Sequence, residues 1–227
     1  MNDAQPLRAA YSVGIGFPCG ATVAWQTALS LAKTTHMAAT LGVPINTHVV
    51  AGSSDVVIAR DVVLDNFLAG NEQYLFWIDS DIVWTPEDFF RVLRLAKDLG
   101  LVSAAYPLKR DPPECILNFA DTVPGPHGCF EVTGLGLGFT CVRRDLLNAF
   151  AATKGKLYHD GNGRLIIDAF RRDKVLRDDG RMHSVGEDCA FFTDMRALGF
   201  KAWFDPTISL GHVGPKEYRA EMAEPNK

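Results

Sequence analysis

The sequence lacks the features that would place it outside the ordinary globular proteins. Its 227 residues include five cysteines and no CxxC pair, so neither a disulfide framework nor a zinc knuckle is indicated. No stretch approaches about 18 consecutive apolar residues, and no basic stretch followed by an apolar run opens the chain. These absences predict a soluble, cytoplasmic protein with reduced thiols, at most peripheral to a membrane.

A large excess of one charge is also lacking. Lys and Arg total 23 and Asp and Glu total 27, which gives a formal net charge of −4. Broad binding of nucleic acid needs a basic surface, so this balance argues against it. The hydrophobic share of 47% excludes collagen-like, coiled-coil and wholly disordered chains. The length is compatible with one large domain.

Apolar periodicity predicts alternating strands and helices in the first third of the chain. The predicted strands span 11–17, 45–51 and 74–78, and the predicted helices span 22–41 and 55–69. This order favours a mostly parallel α/β sheet with right-handed crossovers and helices on its faces. A ligand is then expected beyond the carboxyl ends of the strands.

After residue 106 the sequence no longer shows a regular alternation of strand and helix patterns. Thr85 and Pro86 predict a helix start, Gly100 its end, and a further strand is expected at 101–106. Beyond Pro107, frequent proline and glycine indicate a smaller antiparallel addition. Later predicted elements are helices at 144–150 and 187–198 and a strand at 201–204.

One domain is predicted over 1–213, followed by a polar tail over 214–227. Within the domain, 154–184 is polar and includes a hairpin signal and a charge-dense stretch, RRDKVLRDDGR. Such a stretch usually forms a solvated face or a mobile loop. Long loops in compact domains often act as lids, so we expect a lid here.

Asp79-Ser80-Asp81 directly follows the apolar run YLFWI. Two carboxylates flanking one residue repel each other unless a cation lies between them, and oxygen ligands of this kind suit Mg²⁺ or Mn²⁺ shared with substrate phosphates. The alternative is a turn in which the aspartates cap the next segment. The position after a buried strand favours a ligand site.

Two further elements carry candidate chemistry. Glu187-Asp188 follows Gly186 at a predicted helix start, where acids are also favourable for the helix dipole alone. His212, in SLGHVG, follows a strand-like segment. A lone histidine is more often a surface or hydrogen-bonded residue than a ligand, so its role depends on the other elements.

The ordered set of a strand followed by DSD, a glycine-rich stretch, GED at a helix start and a late HxG resembles the nucleotide-sugar-dependent glycosyltransferases of the GT-A fold. The similarity is greatest to the family 2-like enzymes often encoded by phages and bacteria, and it covers about 13–214. Supporting features are Arg60 before the DSD strand, Tyr106-Pro107-Leu108-Lys109 after the next strand, and GFKAW before the histidine.

This resemblance implies a fold, an activity and roles for individual residues. The fold would be a single GT-A, Rossmann-like domain, and the chain would be a hexosyltransferase-like enzyme. It would move a sugar from a UDP- or GDP-sugar to a hydroxyl acceptor that the sequence does not identify. Asp79, Ser80, Asp81 and Arg60 would bind the nucleotide sugar, with Asp79 on the ribose or base side.

The resemblance also implies the cofactor and the base. Asp81, with His212 and Asp79, would hold a divalent metal, Mn²⁺ or Mg²⁺. A carboxylate plus a neutral imidazole leaves coordination positions for phosphate oxygens and water, so the residue chemistry agrees. Asp188 would be the general base toward the acceptor, with Glu187 supporting it or binding the acceptor. Whether the reaction inverts or retains the anomeric configuration is left open.

The resemblance also gives roles to a glycine-rich stretch and to the end of the first strand. The GLGLG stretch at 134–138 lacks GxGxxG spacing, so it is not a dinucleotide fingerprint. By resemblance, Gly136 and Gly138 would lie in a loop close to donor sugar and acceptor; a strand bulge is the alternative. Pro18, at the end of the first strand, lies where such enzymes hold the base.

Two other functions remain open from the sequence. A nucleotidyltransferase also uses a parallel sheet and a carboxylate-bound metal, but it would need an early, basic, glycine-rich loop. The loop FPCGATVAW contains no Lys or Arg. A non-catalytic nucleotide-sugar or carbohydrate-binding relative would be favoured by loss of a site carboxylate, yet all four carboxylates and His212 are present. Oligomeric state is open.

Overall fold

A computed structural model describes residues 11–155, 157–160, 163–176 and 179–220. Helices and strands alternate in its first half, as the periodicity predicted. The helices are α1 (Trp25–Leu41), α2 (Val56–Ala69), α3 (Pro86–Leu99), α4 (Arg144–Ala152) and α5 (Glu187–Ala197). The strands are β1 (Val13–Cys19), β2 (Ile45–Ala51), β3 (Tyr74–Ile78), β4 (Ile82–Val83), β5 (Leu101–Ser103), β6 (Asn118–Phe119), β7 (Phe130–Gly134), β8 (Phe139–Arg143), β9 (Leu157–His159), β10 (Leu165–Ile167), β11 (Asp173–Leu176), β12 (Met182–Val185), β13 (Ala202–Phe204), β14 (Gly211–Val213) and β15 (Glu217–Arg219).

The central sheet of the described chain has eight strands in the order β2-β1-β3-β8-β5-β13-β7-β6. β1 pairs in parallel with β2 and β3, and β5 pairs in parallel with β13. β8 and β7 run antiparallel to the neighbours that flank them, so most strands of this sheet share one direction. The α/β fold with a mostly parallel sheet and antiparallel additions is confirmed.

Strand β3 explains how the sheet separates two cores. Its side chains are at most 4% exposed, and they alternate between the faces. Phe76 and Ile78 pack in one core with residues of α1 and α3, whereas Leu75 and Trp77 pack in the other with residues of α2, α4 and α5. A strand buried on both faces needs a continuous apolar run, which YLFWI supplies.

Helix α3 shows how local sequence fixes an element boundary. The Thr85 hydroxyl accepts from the Asp88 backbone amide, and the Asp88 carboxylate accepts from the Thr85 amide. This capping box satisfies amides that the first helical turn leaves free. Pro86 occupies the first turn and Gly100 follows the last residue at φ 81°, as predicted.

Several expectations differ from the structure. The strand predicted at 101–106 ends at Ser103. The segment 154–184 forms two antiparallel hairpins in its described part, β9 with β10 and β11 with β12. The expected polar tail contains β15, which pairs with β14; residues 221–227 lie outside the described chain. Within the described residues, no helix combines the length and apolar character needed to cross a membrane.

Candidate functional site

The DSD sequence lies at the carboxyl end of β3, where the parallel sheet predicted a ligand site. Backbone hydrogen bonds hold it from three sides. The Asp79 amide donates to Gly138 O at 3.0 Å, Ser80 O accepts from the Ala24 amide at 3.0 Å, and Asp81 O accepts from the Val213 amide at 2.8 Å. Three segments therefore meet at DSD: the glycine-rich stretch, strand β14, and the loop that follows β1.

Arg60 joins the DSD sequence to the GED sequence. Its Nη2 lies 3.2 Å from Asp79 Oδ1, and its Nε lies 3.3 Å from Glu187 Oε1. The guanidinium group also lies 5.6 Å from the Trp77 ring centroid. Arg60 of α2 thus links the residue that follows β3 with the first residue of α5, which lies 127 positions further along the sequence than Arg60.

Burial gives this ion-pair network its electrostatic character. The Arg60 side chain is 2% exposed. Burial alone would lower the pKa of Arg60, but the Asp79 and Glu187 carboxylates outweigh it and raise that pKa. Burial raises the pKa of Asp79, although Arg60 acts in the opposite direction. The Arg60 Nη1 atom is buried and has no hydrogen-bond partner within the described residues, so one donor of this guanidinium group is left unsatisfied.

Asp81 belongs to a second group of charged side chains. The Lys109 ammonium donates to Asp81 Oδ2, and His212 Nε2 lies 3.5 Å from Asp81 Oδ1. Burial alone would raise the pKa of Asp81, but the interactions with His212 and Lys109 outweigh burial and lower it. Asp81 is therefore held as a carboxylate, the form that binds a cation.

His212 is oriented by a backbone carbonyl. Its Nδ1 lies 2.8 Å from Pro107 O, and because a carbonyl oxygen only accepts, Nδ1 must donate. In the neutral ring the lone pair is then on Nε2, which faces Asp81. A histidine that ligates a metal is typically oriented by such a hydrogen bond from its other nitrogen.

The predicted metal set is only partly assembled. Asp81 and His212 face each other, whereas Asp79 pairs with Arg60. Across the described ranges, no group of three or more His, Cys, Asp or Glu side chains is arranged to hold an ion. Two protein ligands fit a hard divalent ion that takes its remaining oxygens from substrate phosphates and water, so the residues present fit a metal bound together with the donor.

Asp188 has no ion-pair partner among the described residues, although the Arg60, Asp79 and Glu187 charges act on it. Its Oδ1 accepts from the Cys189 amide at 2.7 Å, and its side chain borders a pocket beside Gly136. Burial raises the pKa of Asp188, and the neighbouring Glu187 carboxylate raises it further. A raised carboxylate pKa favours general-base chemistry near neutral pH. Glu187 differs from Asp188 because it pairs with Arg60.

The glycine-rich stretch packs against Tyr106. A Cβ on Gly136 would lie 2.1 Å from the Tyr106 hydroxyl, and a Cβ on Gly138 would lie 2.6 Å from Asp79 Oδ2. The Gly138 amide donates to the Tyr106 hydroxyl at 3.1 Å. Both glycines are therefore needed for the close approach of this stretch to Tyr106 and Asp79. Their approach to a donor sugar or an acceptor stays a prediction.

Pro18 borders a different cleft, at the carboxyl ends of β1 and β2. Cys19, Gly20, Ser53 and Ser54 also line it. The residue before Arg60, Ala59, forms part of the wall of this cleft. Ala59, which lines the Pro18 cleft, and Arg60, which contacts Asp79, are thus consecutive residues of α2.

Two residues of the site, Lys109 and Tyr106, had no role assigned to them from the sequence. Lys109 was only a supporting feature, yet it pairs with Asp81. Tyr106, from the same supporting segment, contacts the His212 ring at a centroid distance of 5.1 Å and accepts the hydrogen bond from the Gly138 amide. The sequence Tyr106-Pro107-Leu108-Lys109 after β5 was the available signal, because it too follows a parallel strand.

Comparison with known proteins gives a likeness in structure. No protein-family model matches the chain, and no curated protein matches it. Among solved structures, A197 from STIV matches with a TM-score of 0.58 and 18% identity, over 90% of this chain and 86% of that one. A structure of GalNAc-T7 with UDP, GalNAc and Mn²⁺ matches with a TM-score of 0.53 and 11% identity, over 96% of this chain.

At these identities the likeness shows the fold alone. The chain spans 45% of the GalNAc-T7 chain, so less than half of that protein is represented here. The α/β arrangement expected of a GT-A glycosyltransferase domain is confirmed. The family 2 assignment and the phage or bacterial type stay predictions.

Proposed function

We propose that the chain is a metal-dependent glycosyltransferase that moves a sugar from a UDP- or GDP-sugar to a hydroxyl acceptor. One observation carries the proposal. At the carboxyl edge of the sheet, the two carboxylates of DSD have different partners: Asp79 pairs with Arg60, and Asp81 faces His212 and Lys109. This separation provides distinct positions for a nucleoside and for a diphosphate with its cation.

The diphosphate would lie beside Asp81, His212 and Lys109. Asp81 and His212 would hold Mn²⁺ or Mg²⁺, which supplies positive charge to the departing nucleoside diphosphate. Lys109 adds a second cation for the phosphates, in the way that lysine binds phosphate as a point charge. The GalNAc-T7 structure, which contains UDP and Mn²⁺, supports testing these ligands first.

The nucleoside would extend from Asp79 toward the Pro18 cleft. Arg60 fixes the Asp79 carboxylate. Ser80 contributes its backbone carbonyl to the loop after β1, which keeps that loop at the site. Glu187 acts through Arg60, so it is a positioning residue.

Asp188 would remove the proton from the acceptor hydroxyl. The acceptor oxygen forms a bond to the anomeric carbon while the bond from that carbon to the phosphate oxygen breaks. The electron pair of the broken bond stays on the nucleoside diphosphate, and the acceptor proton goes to Asp188. No second carboxylic acid is required, because the diphosphate is already a good leaving group.

The test is thermal unfolding with UDP or GDP, each with and without Mn²⁺. A ligand that binds only the native state raises its stability, by about 2.7 kcal/mol at a concentration of about 100 times Kd. We expect stabilisation that needs both nucleotide and Mn²⁺ and that Asp81→Asn removes. Asp98→Asn, at an exposed carboxylate paired with His127, is the matched control and should keep the stabilisation. If neither nucleotide stabilises the protein with Mn²⁺ present, the proposed donor site is wrong.

A further inference from the structure

The pocket beside Asp188 has a composition that bears on the acceptor. It lies between the chain after β5, the segment before β6, the glycine-rich stretch and the start of α5. Leu108, Ile116 and Leu135 provide much of its wall, and Asn118 and Asp188 are polar side chains within it. Tyr106 also lines it, and the Tyr106 hydroxyl, which accepts from the Gly138 amide, keeps its own O–H to donate.

The wall therefore offers few hydrogen-bonding groups to a bound molecule. A sugar carries a hydroxyl on most of its carbon atoms, and each buried hydroxyl without a partner is unfavourable. Asn118 lies at an exposed position on the short edge strand β6, so its amide faces water as well as the pocket. Asp188 can accept from one hydroxyl of a bound molecule, and the Tyr106 O–H can donate to the same hydroxyl oxygen. An acceptor with one reacting hydroxyl on an otherwise apolar body matches this wall.

The inner part of the pocket has room for a small apolar body. Its volume is about 170 Å³. A cavity of about 150 Å³ lined by aliphatic and aromatic side chains admits a benzene-sized molecule. A single six-membered ring or a branched alkyl group of similar size fits the available space.

We infer that the acceptor is a hydroxyl carried on a ring-sized apolar group, such as an aryl or cycloalkyl alcohol, and not a hydroxyl of a saccharide. The inference rests on the proposed function, because Asp188 must be the group that takes the proton. The ring lies against Leu108, Ile116 and Leu135, and its hydroxyl points to Asp188. The new bond joins this hydroxyl oxygen to the anomeric carbon of the donor.

The test separates binding from turnover. Benzyl alcohol and methyl α-glucoside are compared as acceptors with a panel of UDP- and GDP-hexoses and Mn²⁺, and their binding is measured by saturation-transfer NMR. The variant Ile116→Trp fills the pocket from its rim, where Ile116 is 56% exposed and its replacement disturbs little packing. Val123→Trp is the matched control, since Val123 is 65% exposed and lies outside the pocket lining.

We expect transfer to benzyl alcohol with a kcat/KM about tenfold or more above that for the glucoside. Ile116→Trp should lower the value for benzyl alcohol about tenfold or more, and Val123→Trp should leave it within about twofold. Transfer that prefers the glucoside overturns the inference and leaves the proposed function in place. Benzyl alcohol binding that Ile116→Trp removes, with no transfer from any donor, keeps the apolar pocket and overturns the proposed function. Absence of benzyl alcohol binding and of transfer to it overturns the inference.

Discussion

Arg60 and Glu187 are separated by 127 positions in the sequence, yet their Nε and Oε1 atoms lie 3.3 Å apart in the interior. The same guanidinium group binds Asp79, so the carboxylate at the end of β3 and the first turn of α5 are fixed relative to each other. The relative position of the proposed donor site and the proposed general base therefore depends on a buried arginine that need not react.

Replacing Arg60 should destabilise the fold strongly. Arg60→Met leaves Asp79 and Glu187 partly buried without their cation, and breaking such a pair costs about 3 to 5 kcal/mol. We expect the free energy of unfolding in urea to fall by about 3 kcal/mol. Arg172→Met, at an exposed arginine paired with Asp55, should change it by less than about 1 kcal/mol. Equal effects of the two substitutions would contradict the structural role of Arg60.

Asp188→Asn should abolish transfer and leave nucleotide binding nearly intact. Removing a general base lowers turnover by about 10² to 10⁴, whereas the proposed donor-binding residues Asp79 and Asp81 are unchanged. Turnover is measured with saturating donor, and nucleotide binding by calorimetry. Asp98→Asn, at a carboxylate far from the pocket lining, should keep both. Turnover of the Asp188 variant within about tenfold of wild type would reject the assignment of this base.

Gly136→Ala should be destabilising because of Tyr106. The new Cβ would lie 2.1 Å from the Tyr106 hydroxyl and 2.6 Å from its Cζ, so the ring must move. Overpacking of this kind costs about 1 to 3 kcal/mol. Gly20→Ala is the control, since no atom lies within 4 Å of its added Cβ. Thermal unfolding that ranks the two variants in the reverse order would be inconsistent with the packing described.

Asp61 predicts a pH dependence of stability. Its Oδ1 accepts from the Ala169 and Phe170 amides, and its Oδ2 accepts from the Tyr158 hydroxyl. Burial raises the pKa of Asp61 to about 6. The folded state thus keeps a proton that the unfolded state has lost, and stability falls as pH rises from about 4 to about 6.

Asp61→Asn should remove this dependence. The asparagine oxygen can accept from both amides, and its NH₂ group can donate to the Tyr158 hydroxyl at every pH. The free energy of unfolding of wild type relative to the variant should decline by about 2 to 3 kcal/mol between about pH 4 and pH 7. Parallel stability curves for the two proteins would show that Asp61 does not retain its proton on folding.

The lid prediction can now be confined to one hairpin. The first hairpin is tied to α2 through Tyr158 with Asp61 and Arg164 with Asp65. The second presents Lys174 and Arg181 at exposed positions, where trypsin can cleave. If the segment closes on the donor, UDP with Mn²⁺ should slow cleavage at these two sites. Rates unchanged by the ligands, measured by mass spectrometry of the fragments, would count against a lid.

Local signals predicted the elements whose boundaries depend on neighbouring residues. The bounds of β2 and β3 match the predicted ones, and the start and end of α3 follow from Thr85 and Gly100. The strand β8 was missed. Its sequence FTCVR carries no information on strand direction, and its antiparallel position between β3 and β5 follows from pairing with both. Strand β15 was also missed. Its residues are mostly polar, and it forms a strand because it pairs with β14.

The sequence by itself determined the α/β class and the edge of the sheet at which a ligand is expected, because both follow from the order of buried strands and from residues at their carboxyl ends. Only the tertiary structure decided the partner of each carboxylate. Asp79 and Asp81 are two residues apart, yet one faces Arg60 and the other faces Lys109 and His212. Such pairs join segments far apart in the chain, so they form only when the whole sheet and its helices have packed.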